Sequence, residues 1–219
     1  MIDLCWNPTN VFKAARNRKC NSKQFDFINF PVIKNQWARD DPAFVFMLGL
    51  FMLVVALSYA FCFENISFWS YIYLMLWFFF VDFLLTGHKL WITDNNKSRF
   101  VSNKYLRNNT SSEQVEWLYA FDIHCNAFFI LFITLYLGQY ILMPILISYN
   151  TFSLILSNLL YSGAFSYYFY ITFRGFVELQ NINNPECFLY PIGAIIFGLM
   201  LSGLFGFHCT RFVIALYFG

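Results

Sequence analysis

The amino-acid sequence predicts an all-α fold, a polytopic transmembrane helical bundle of five spans with a cytosolic N-terminus and a lumenal C-terminus. Three observations lead to this prediction. Hydrophobic residues make up 59% of the 219 residues and charged residues 12%, about half of the ~25% found in soluble domains. Long stretches carry no charge, the longest being the 51 residues Ile123–Phe173. The basic residues lie in alternate segments between those stretches. A soluble enzyme domain, a disordered chain and a disulfide-rich secreted module are therefore excluded.

The hydrophobic stretches set the five predicted spans. Each is close to the ~20 residues that a helix needs to cross the hydrocarbon core. Their approximate bounds are residues 43–63, 66–85, 125–143, 151–173 and 187–207. Helices are expected because lipid offers no hydrogen bonds to an unpaired backbone. The chain is thereby divided into a basic cytosolic segment, residues 1–41, and a membrane domain, residues 42–219, which includes a cytosolic loop over residues 86–119.

The positions of the 14 Lys and Arg residues set the orientation of the spans. Seven lie in the N-terminal segment and five in the loop between the second and third spans. Arg174 ends the fourth span, and Arg211 lies in the tail. The other two turns carry none. Cytosolic segments hold an excess of Lys and Arg. Thirteen basic residues therefore fall on one side and one on the other, which predicts a cytosolic N-terminus.

The N-terminal segment has the composition of a short helix that lies on the cytosolic leaflet. Val11–Lys23 contains five basic residues, with Val11, Phe12 and Ala15 between them. Each Lys or Arg beside an anionic leaflet contributes about 1 kcal/mol to binding. The same charge also serves to set the topology, and the sequence leaves both interpretations open.

The entrance to the first span has the features of a helix start. Asp41 suits the N-cap, where its carboxylate accepts from free backbone N–H groups. Pro42 suits the first helical position, and Trp37 suits the aromatic belt of the membrane interface. Arg39 can pair with Asp40 or contact a lipid phosphate. The segment is therefore either a capped, anchored helix start or a motif that binds a cytosolic partner.

The second span contains a carboxylate, Asp82. A charged side chain at the centre of a span costs on the order of 2.5–3.5 kcal/mol, so Asp82 should face the protein interior or water and have a partner. Polar residues of the third and fourth spans lie at a similar depth. The predicted intramembrane polar cluster contains Asp82, Asp122, His124, Asn126 and Arg174, with Tyr167 and Tyr170 as hydrogen-bond partners. Either it is a satisfied network that fixes packing, or it binds an ion, a proton or a lipid headgroup.

The fifth span carries four small residues at a spacing of four: Ala194, Gly198, Ser202 and Gly206. On a helix they form one smooth stripe, along which another backbone can approach closely. Packing of the fifth span within the bundle is the first interpretation of this stripe, and dimerisation is the alternative.

Three stretches of the chain resemble one family, the Unc-fifty ("uncoordinated fifty") membrane proteins of the Golgi. They are Lys34–Phe44, Ser102–Leu106 and Val115–Phe129. A shorter similarity, Leu189–Pro191, lies at the start of the fifth span. The resemblance covers most of the chain. It implies five spans and a cytosolic N-terminus, which agrees with the distribution of charge.

The resemblance implies a role in vesicular traffic at Golgi membranes, with the endoplasmic reticulum and the inner nuclear membrane as further locations. Family members are associated with large Arf guanine-nucleotide exchange factors and with the delivery of membrane-protein cargo, and RNA binding is ascribed to an animal member. In this chain Asn21–Val32 is inserted beside the family's compact basic stretch, which argues against RNA binding. The resemblance implies no catalytic residue, and the chain shows no metal-ligand spacing and no need of a cofactor.

Besides the membrane lipids, the predicted partner is a cytosolic trafficking factor or membrane-protein cargo. Three segments on the predicted cytosolic side are expected to contact the cytosolic factor: Gln36–Asp41, Lys97–Arg107 and Glu113–Trp117. The single residues expected to do so are Trp37, Arg39, Asp40, Asp41, Lys104, Tyr105, Glu116 and Trp117. The sequence therefore predicts a non-enzymatic scaffold or assembly factor.

The alternative function is an intramembrane enzyme or transporter. It would use Asp82, Asp122 and His124 of the predicted cluster. Against it, the chain contains no Gly-x-Gly-Asp protease motif, and five spans do not form the inverted repeats that many transporters share.

Overall fold

A computed structural model describes residues 9–13, 43–62, 68–85, 117–177 and 185–218 of the chain. Within those ranges every regular element is a helix, and no strand occurs. Seven of the residues predicted to contact a partner lie outside the described residues: Trp37, Arg39, Asp40, Asp41, Lys104, Tyr105 and Glu116. For Asp82 and Trp117 the backbone alone is described.

Six helices make up the described part of the membrane domain. They are α1 (Ala43–Cys62), α2 (Phe68–Leu76, then a π-helix over Trp77–Leu85), α3 (Trp117–Phe132, a π-helix over Ile133–Gly138, then Gln139–Leu146), α4 (Thr151–Val177), α5 (Tyr190–Phe205) and α6 (Cys209–Phe218). A short helical stretch covers residues 9–13, and a 3-10 turn, Pro185–Phe188, precedes α5. The first five helices overlap the five predicted spans, and α6 lies beyond them.

Two of the described helical segments are long and apolar enough to cross a membrane, Ala43–Cys62 and Ala120–Leu146. α5 and α6 meet at 91° and add a third only if the bent pair is one span. The apolar part of α2, Tyr71–Phe80, is short. α4 is long but less apolar, because buried polar side chains interrupt it: Ser153, Ser157, Asn158 and Thr172. By length and composition the described helices support two or three spans, and five spans stay a prediction.

Large apolar side chains cover the outside of the described helices. Phe61 of α1 is 77% exposed, and Leu204 of α5 is 81% exposed. Water-soluble monomers rarely expose large contiguous apolar patches, whereas the hydrocarbon tails of a bilayer solvate such a surface favourably. The chain is therefore a membrane protein, as its composition predicts.

α1 runs parallel to α3. The ring centroids of Phe44 and Phe129 lie 5.8 Å apart. Further along both helices, the ring centroids of Tyr59 and Tyr140 lie 5.4 Å apart. The residue numbers rise together along the contact, so the two helices start at the same end of the bundle.

α2 runs antiparallel to α3. The Phe83 ring lies 5.8 Å from the ring of Phe121, near the start of α3. The Phe78 ring lies 4.9 Å from the ring of Tyr136, about four turns further along α3. The residue numbers fall on one helix as they rise on the other, so α2 runs back towards the end from which α1 and α3 start.

α4 runs antiparallel to α3 and packs along it. In its first turn, Ser153 Oγ donates to the Leu146 carbonyl over 2.7 Å. In its last turns, Gly175 lies against Ile123 of α3, and a Cβ on Gly175 would come within 2.8 Å of Ile123 Cγ1. Glycine is required there, because a larger side chain would displace a fully buried isoleucine in a close-packed interior.

α5 runs antiparallel to α4. Phe188, just before α5, stacks on Phe176 with ring centroids 4.5 Å apart. At the other end of α5, Ser202 Oγ accepts from Asn158 Nδ2 over 3.0 Å. Gly206 ends the helix in the left-handed conformation with φ of 66°, as glycine commonly does after a helix. α1, α3 and α5 therefore point one way, and α2 and α4 point the other.

This alternation gives the described bundle two ends. The Arg174 end holds residues 9–13, the end of α2, the starts of α3 and α5, and the end of α4. The opposite end holds the end of α1, the turn between α3 and α4, and the bend between α5 and α6 at residues 206–208. It is called the elbow end after that bend. The two ends differ in which polar side chains they gather.

We expect Gly175→Ala to lower the free energy of unfolding by about 1–3 kcal/mol, because the added methyl group overpacks against Ile123. The matched control is Gly163→Ala in the same helix, where an added Cβ would meet no described atom within 4 Å. That change should be neutral or slightly stabilising, since alanine favours helix over glycine by up to ~1 kcal/mol. Thermal unfolding in detergent micelles compares the two. Equal melting temperatures would contradict the close approach.

Candidate functional site

The bend between α5 and α6, residues 206–208, is called the elbow, and Asn158 of α4 holds it. Asn158 Nδ2 donates to the Phe207 carbonyl over 2.7 Å and to Ser202 Oγ over 3.0 Å. Asn158 Oδ1 accepts from the backbone N–H of Cys209 over 3.1 Å. One side-chain amide thus satisfies a carbonyl just after α5 and an N–H group at the start of α6. Such terminal groups have no partner within their own helix.

The first turn of α6 has a side-chain acceptor for each of three consecutive backbone N–H groups. Beyond the Cys209 N–H, the Thr210 N–H donates to Ser157 Oγ over 2.9 Å. The Arg211 N–H donates to Nδ1 of His208 over 3.4 Å. Because the surroundings of these groups are buried, unpaired N–H groups would be unfavourable, and the side chains around the elbow make it possible for a helix to begin there.

The histidine of the elbow connects it to the end of α3. Since Nδ1 of His208 accepts a hydrogen bond, Nε2 carries the proton and donates to Ser153 Oγ, 3.1 Å away. Ser153 Oγ in turn donates to the Leu146 carbonyl. A serine nucleophile needs a histidine that accepts its proton. Here the histidine donates to the serine, so the pair lacks the arrangement of a catalytic dyad. Its role is to connect the elbow to the end of α3.

Arg211 joins α6 to the turn between α3 and α4. Its Nη2 donates to the Ile147 carbonyl over 3.1 Å and also to the Ser148 carbonyl. Its guanidinium carbon lies 3.8 Å above the centre of the Tyr149 ring. Carbonyls at a helix C-terminus carry partial negative charge, and an aromatic face attracts a cation. The lone basic residue of the predicted lumenal side is therefore bound to this turn.

His124 of the predicted intramembrane cluster is fully buried. Its Nδ1 lies 2.9 Å from the hydroxyl of Tyr168, and not from Tyr167 or Tyr170, the two tyrosines considered as partners. The ring centroids of Phe83 and Phe128 lie 5.1 Å and 5.6 Å from the imidazole centroid. Its Nε2 meets no hydrogen-bond partner among the described residues. The imidazole is therefore packed among aromatic rings.

The structure describes the side chains of three other members of that cluster, Asp122, Asn126 and Arg174. Asp122 and Asn126 are half-buried and lie four residues apart, so they share a helix face. His124 lies two residues from each of them and is on a different face of α3. Arg174 Nε donates to Thr9 Oγ1 over 3.1 Å at the Arg174 end. Asp82 lies in the π-helical part of α2, and its side chain is outside the described structure. Among the described residues, no group of three His, Cys, Asp or Glu side chains is placed to hold a metal.

The helical stretch over residues 9–13 packs on the Arg174 end. Phe12 is 4% exposed and belongs to the buried core, whereas Lys13 is exposed. Thr9 is the acceptor for Arg174. The start of the predicted surface helix Val11–Lys23 is thus held against the protein by an apolar anchor, and its later residues lie outside the described ones.

The small-residue stripe of α5 lies mostly on an exposed face. Ala194, Gly198 and Gly206 are exposed, and a Cβ on Gly198 would meet no described atom within 4 Å. Ser202 is half-buried and bonds to Asn158. The structure therefore gives Ser202 and Gly206 roles at the elbow. Packing or dimerisation through the whole stripe stays a prediction.

Sequence reasoning missed the elbow and one buried amide. Ser153 and Ser157 are four residues apart on α4, a spacing that places them on one helix face and could have indicated a polar contact. Gln139 of α3 is 3% exposed, and its Oε1 accepts from the Tyr161 hydroxyl over 2.6 Å. An amide in the middle of a long uncharged span is a comparable signal. Gln139 also lines a half-open apolar groove with a volume of about 400 Å³.

The profile of the UNC-50 family matches residues 1–218. The chain is 43% identical over 223 residues to "Protein unc-50 homolog" of Dictyostelium discoideum, covering 100% of this chain and 79% of that protein. It is 35% identical to "Protein unc-50 homolog" of Homo sapiens, covering 99% and 78%. It is 34% identical to "Protein unc-50" of Caenorhabditis elegans, covering 99% and 66%. No solved structure shows significant similarity to the chain.

We expect Asn158→Ala to destabilise the elbow, because it removes three hydrogen bonds and leaves buried groups unpaired at about 1–3 kcal/mol each. The matched control is Ser162→Ala, since Ser162 Oγ bonds only within α4, to the Leu159 carbonyl. Hydrogen–deuterium exchange of the amides at residues 209–211 should speed up in the first variant and not in the second. Unchanged exchange in Asn158→Ala would show that the amide does not hold the elbow.

Proposed function

Because the chain belongs to the UNC-50 family, we propose that it is a multi-pass Golgi membrane protein of vesicular trafficking, a scaffold for cytosolic Arf guanine-nucleotide exchange factors. The observation that carries the proposal is the arrangement at the Arg174 end. There the stretch over residues 9–13 is anchored on the bundle by Phe12 and by the bond from Arg174 to Thr9. The unc-50 names of the relatives denote no enzyme, which supports a non-enzymatic role.

The scaffold requires five spans with the Arg174 end in the cytosol. The alternating directions of α1 to α5 support that count. The lower hydropathy of α4 is no obstacle, because its polar side chains are bonded inside the protein, as polar groups within membranes usually are. Arg174 lies at the proposed cytosolic end with the basic N-terminal segment. Arg211, at the elbow end, is engaged by the turn between α3 and α4.

The proposed partner surface combines three cytosolic segments, residues 36–41, 97–107 and 113–117. The first precedes α1 and the other two precede α3. α1 and α3 are parallel and start at the same end, so the segments enter the bundle on one side. Each segment carries charged residues, and the first and third carry carboxylates. Complementary charges favour fast and specific docking of a soluble protein at a membrane surface.

A second candidate function, an assembly or trafficking factor for membrane-protein cargo, is favoured by the outer face of α5. Ala194 and Gly198 are exposed there beside Phe197 and Met200, which are 63% and 67% exposed. Small residues beside large apolar ones allow a transmembrane helix of another protein to approach closely. Such a surface could hold a cargo span in the plane of the membrane.

The enzyme or transporter alternative receives no support from the described residues. His124 is bonded to a tyrosine and surrounded by phenylalanine rings. The Ser153–His208 pair donates in the wrong direction for a nucleophile. We therefore keep the scaffold as the proposed function.

The proposed topology predicts opposite protease accessibility of two epitope tags. In sealed Golgi-derived vesicles, a tag before Met1 should be digested by added protease, and a tag after Gly219 should be protected. Detergent permeabilisation is the control and should expose both tags. A protected N-terminal tag, or an accessible C-terminal tag in sealed vesicles, would contradict five spans with a cytosolic N-terminus.

The proposed scaffold role predicts that charge reversal in all three segments abolishes capture of Arf exchange factors from cytosol. The test variant combines Arg39→Glu, Lys104→Glu and Glu116→Lys. We expect it to capture exchange factors at least about tenfold less well, because charges at the rim of an interface set the association rate. Exchange activity bound to the immobilised protein is measured. Glu64→Lys, in the predicted lumenal turn, is the control and should bind normally. Undiminished capture by the triple variant, at unchanged Golgi localisation, would exclude these segments as the partner surface.

A further inference from the structure

A histidine occupies the last position of the elbow. His208 is 8% exposed, and it directly follows the fifth predicted span, residues 187–207. α6 begins at the next residue, Cys209. His208 is therefore the N-cap residue of α6, the position from which a side-chain acceptor satisfies a backbone N–H group of the first helical turn.

The capping bond of His208 requires a neutral imidazole. Its Nδ1 accepts from the backbone N–H of Arg211, three residues further on, over 3.4 Å. Its Nε2 carries the proton and donates to Ser153 Oγ over 3.1 Å. A second proton binds at Nδ1, because Nε2 already carries one. Nδ1 then becomes a donor that faces another donor, and the capping bond is lost.

The surroundings of His208 favour the neutral imidazole. Burial lowers its pKa from the ordinary value of 6.5, and the positive charge of Arg211 lowers it further. The Leu146 carbonyl at the end of α3 acts in the opposite direction, but it is already the acceptor for Ser153 Oγ. The N-terminus of α6 carries a partial positive charge, which also disfavours a cation at this position.

No carboxylate with a described side chain lies near His208 to stabilise its charged form. Asp122 and Glu186, the two described acidic side chains, lie at the opposite, Arg174 end. Phe205–Phe207, which lead from α5 into the elbow, do not titrate. The thiol of Cys209 stays neutral near pH 7, because burial raises its pKa. Arg211 is therefore the charged group that acts on the imidazole.

Arg211 carries the loss of the capping bond to the rest of the elbow end. Its backbone N–H is the group that His208 would release, and its guanidinium donates to two carbonyls of the turn between α3 and α4. Repulsion from a charged imidazole acts on the same arginine. The bonds from the two preceding N–H groups to Asn158 and Ser157 do not involve His208. Protonation therefore loosens Arg211, while those bonds keep α6 on the bundle.

We propose that the elbow is a pH-sensitive joint, in which protonation of His208 breaks the N-cap of α6 and loosens the attachment of Arg211 to the turn between α3 and α4. A histidine suits this task because its charge changes between about pH 5 and pH 8. The elbow end is lumenal in the proposed topology, so the joint responds to acidification of the lumen. Only this assignment of a compartment rests on the proposed function, since the joint contains no cytosolic segment.

The lowered pKa of His208 sets the pH range of the response. The capped state binds a proton less readily than the loosened state, in which the imidazole titrates near its ordinary pKa of about 6.5. The capped state is therefore most favoured above that value and loses stability as the pH falls below it. Between roughly pH 7.5 and pH 5.0, the population of the loosened state should rise by up to about thirtyfold.

Hydrogen–deuterium exchange of the Arg211 amide in the detergent-solubilised full chain tests the joint, because both ends of the protein then meet the same pH. After correction for intrinsic exchange, the rate should be at least about fivefold higher at roughly pH 5.0 than at pH 7.5. His208→Asn is the control variant, since asparagine caps a helix but does not titrate. Its corrected rate should be equal at both pH values. An unresponsive Arg211 amide in the parent, or an equal response in His208→Asn, would overturn the proposal.

Nitrogen NMR of the labelled histidines reads the same change without a substitution. At neutral pH, His208 should be the tautomer with its proton on Nε2, and its protonation midpoint should lie below 6.5. The opposite tautomer, or a midpoint above that value, would overturn the proposal.

Sealed vesicles that hold the parent in its native orientation test the compartment. Acidification of the lumen alone should speed up exchange of the Arg211 amide. A response to external acid alone would overturn the lumenal assignment and contradict the proposed topology, whereas the exchange measured in detergent does not depend on topology.

Discussion

The groups at the elbow are buried in the protein and must find hydrogen-bond partners there, and the position of α6 depends on this constraint. Asn158 meets it by bonding a carbonyl just after α5 and an N–H group of α6 with one amide. Ser157 and His208 complete the first turn of α6. Because these partners exist, α5 can stop and the chain can turn by 91° and return across the bundle. The apolar groove beside α6 is a consequence of that return.

α4 connects the two ends of the bundle. Its first half supplies the polar side chains that hold the elbow, and its last turns carry Gly175 against α3 and Arg174 against the N-terminal stretch. These roles explain why α4 is the long helix with the lower hydropathy. Three of its polar residues, Ser153, Ser157 and Asn158, are buried and bond to residues outside α4. Hydropathy measures what a helix contains, whereas membrane residence depends on which of its side chains face outwards.

The two ends have different chemistry, and this division fits a membrane scaffold. The Arg174 end gathers the N-terminal stretch and the starts of the helices that follow the predicted cytosolic segments. The elbow end is closed by bonds among α3, α4 and α6, with Arg211 over Tyr149. Between them, His124 and Tyr168 form a buried pair within aromatic packing.

The sequence by itself determined the helical class, membrane residence and membership of the UNC-50 family, because composition and motifs are properties of the residues alone. It also located the hydrophobic stretches of α1 and α3. The sequence could not show which side chains contact each other, because it gives only the approximate depth of a residue along its span. Similar depth suggested a cluster that included His124, Asp122 and Arg174. In the structure, the orientation of each helix brings His124 to the Tyr168 hydroxyl and Arg174 to Thr9. Ser157 and Thr210 are 53 residues apart in the chain. Only the tertiary structure shows that their hydroxyls are hydrogen-bonded, because a buried polar group bonds to the polar group of whichever helix packs against it.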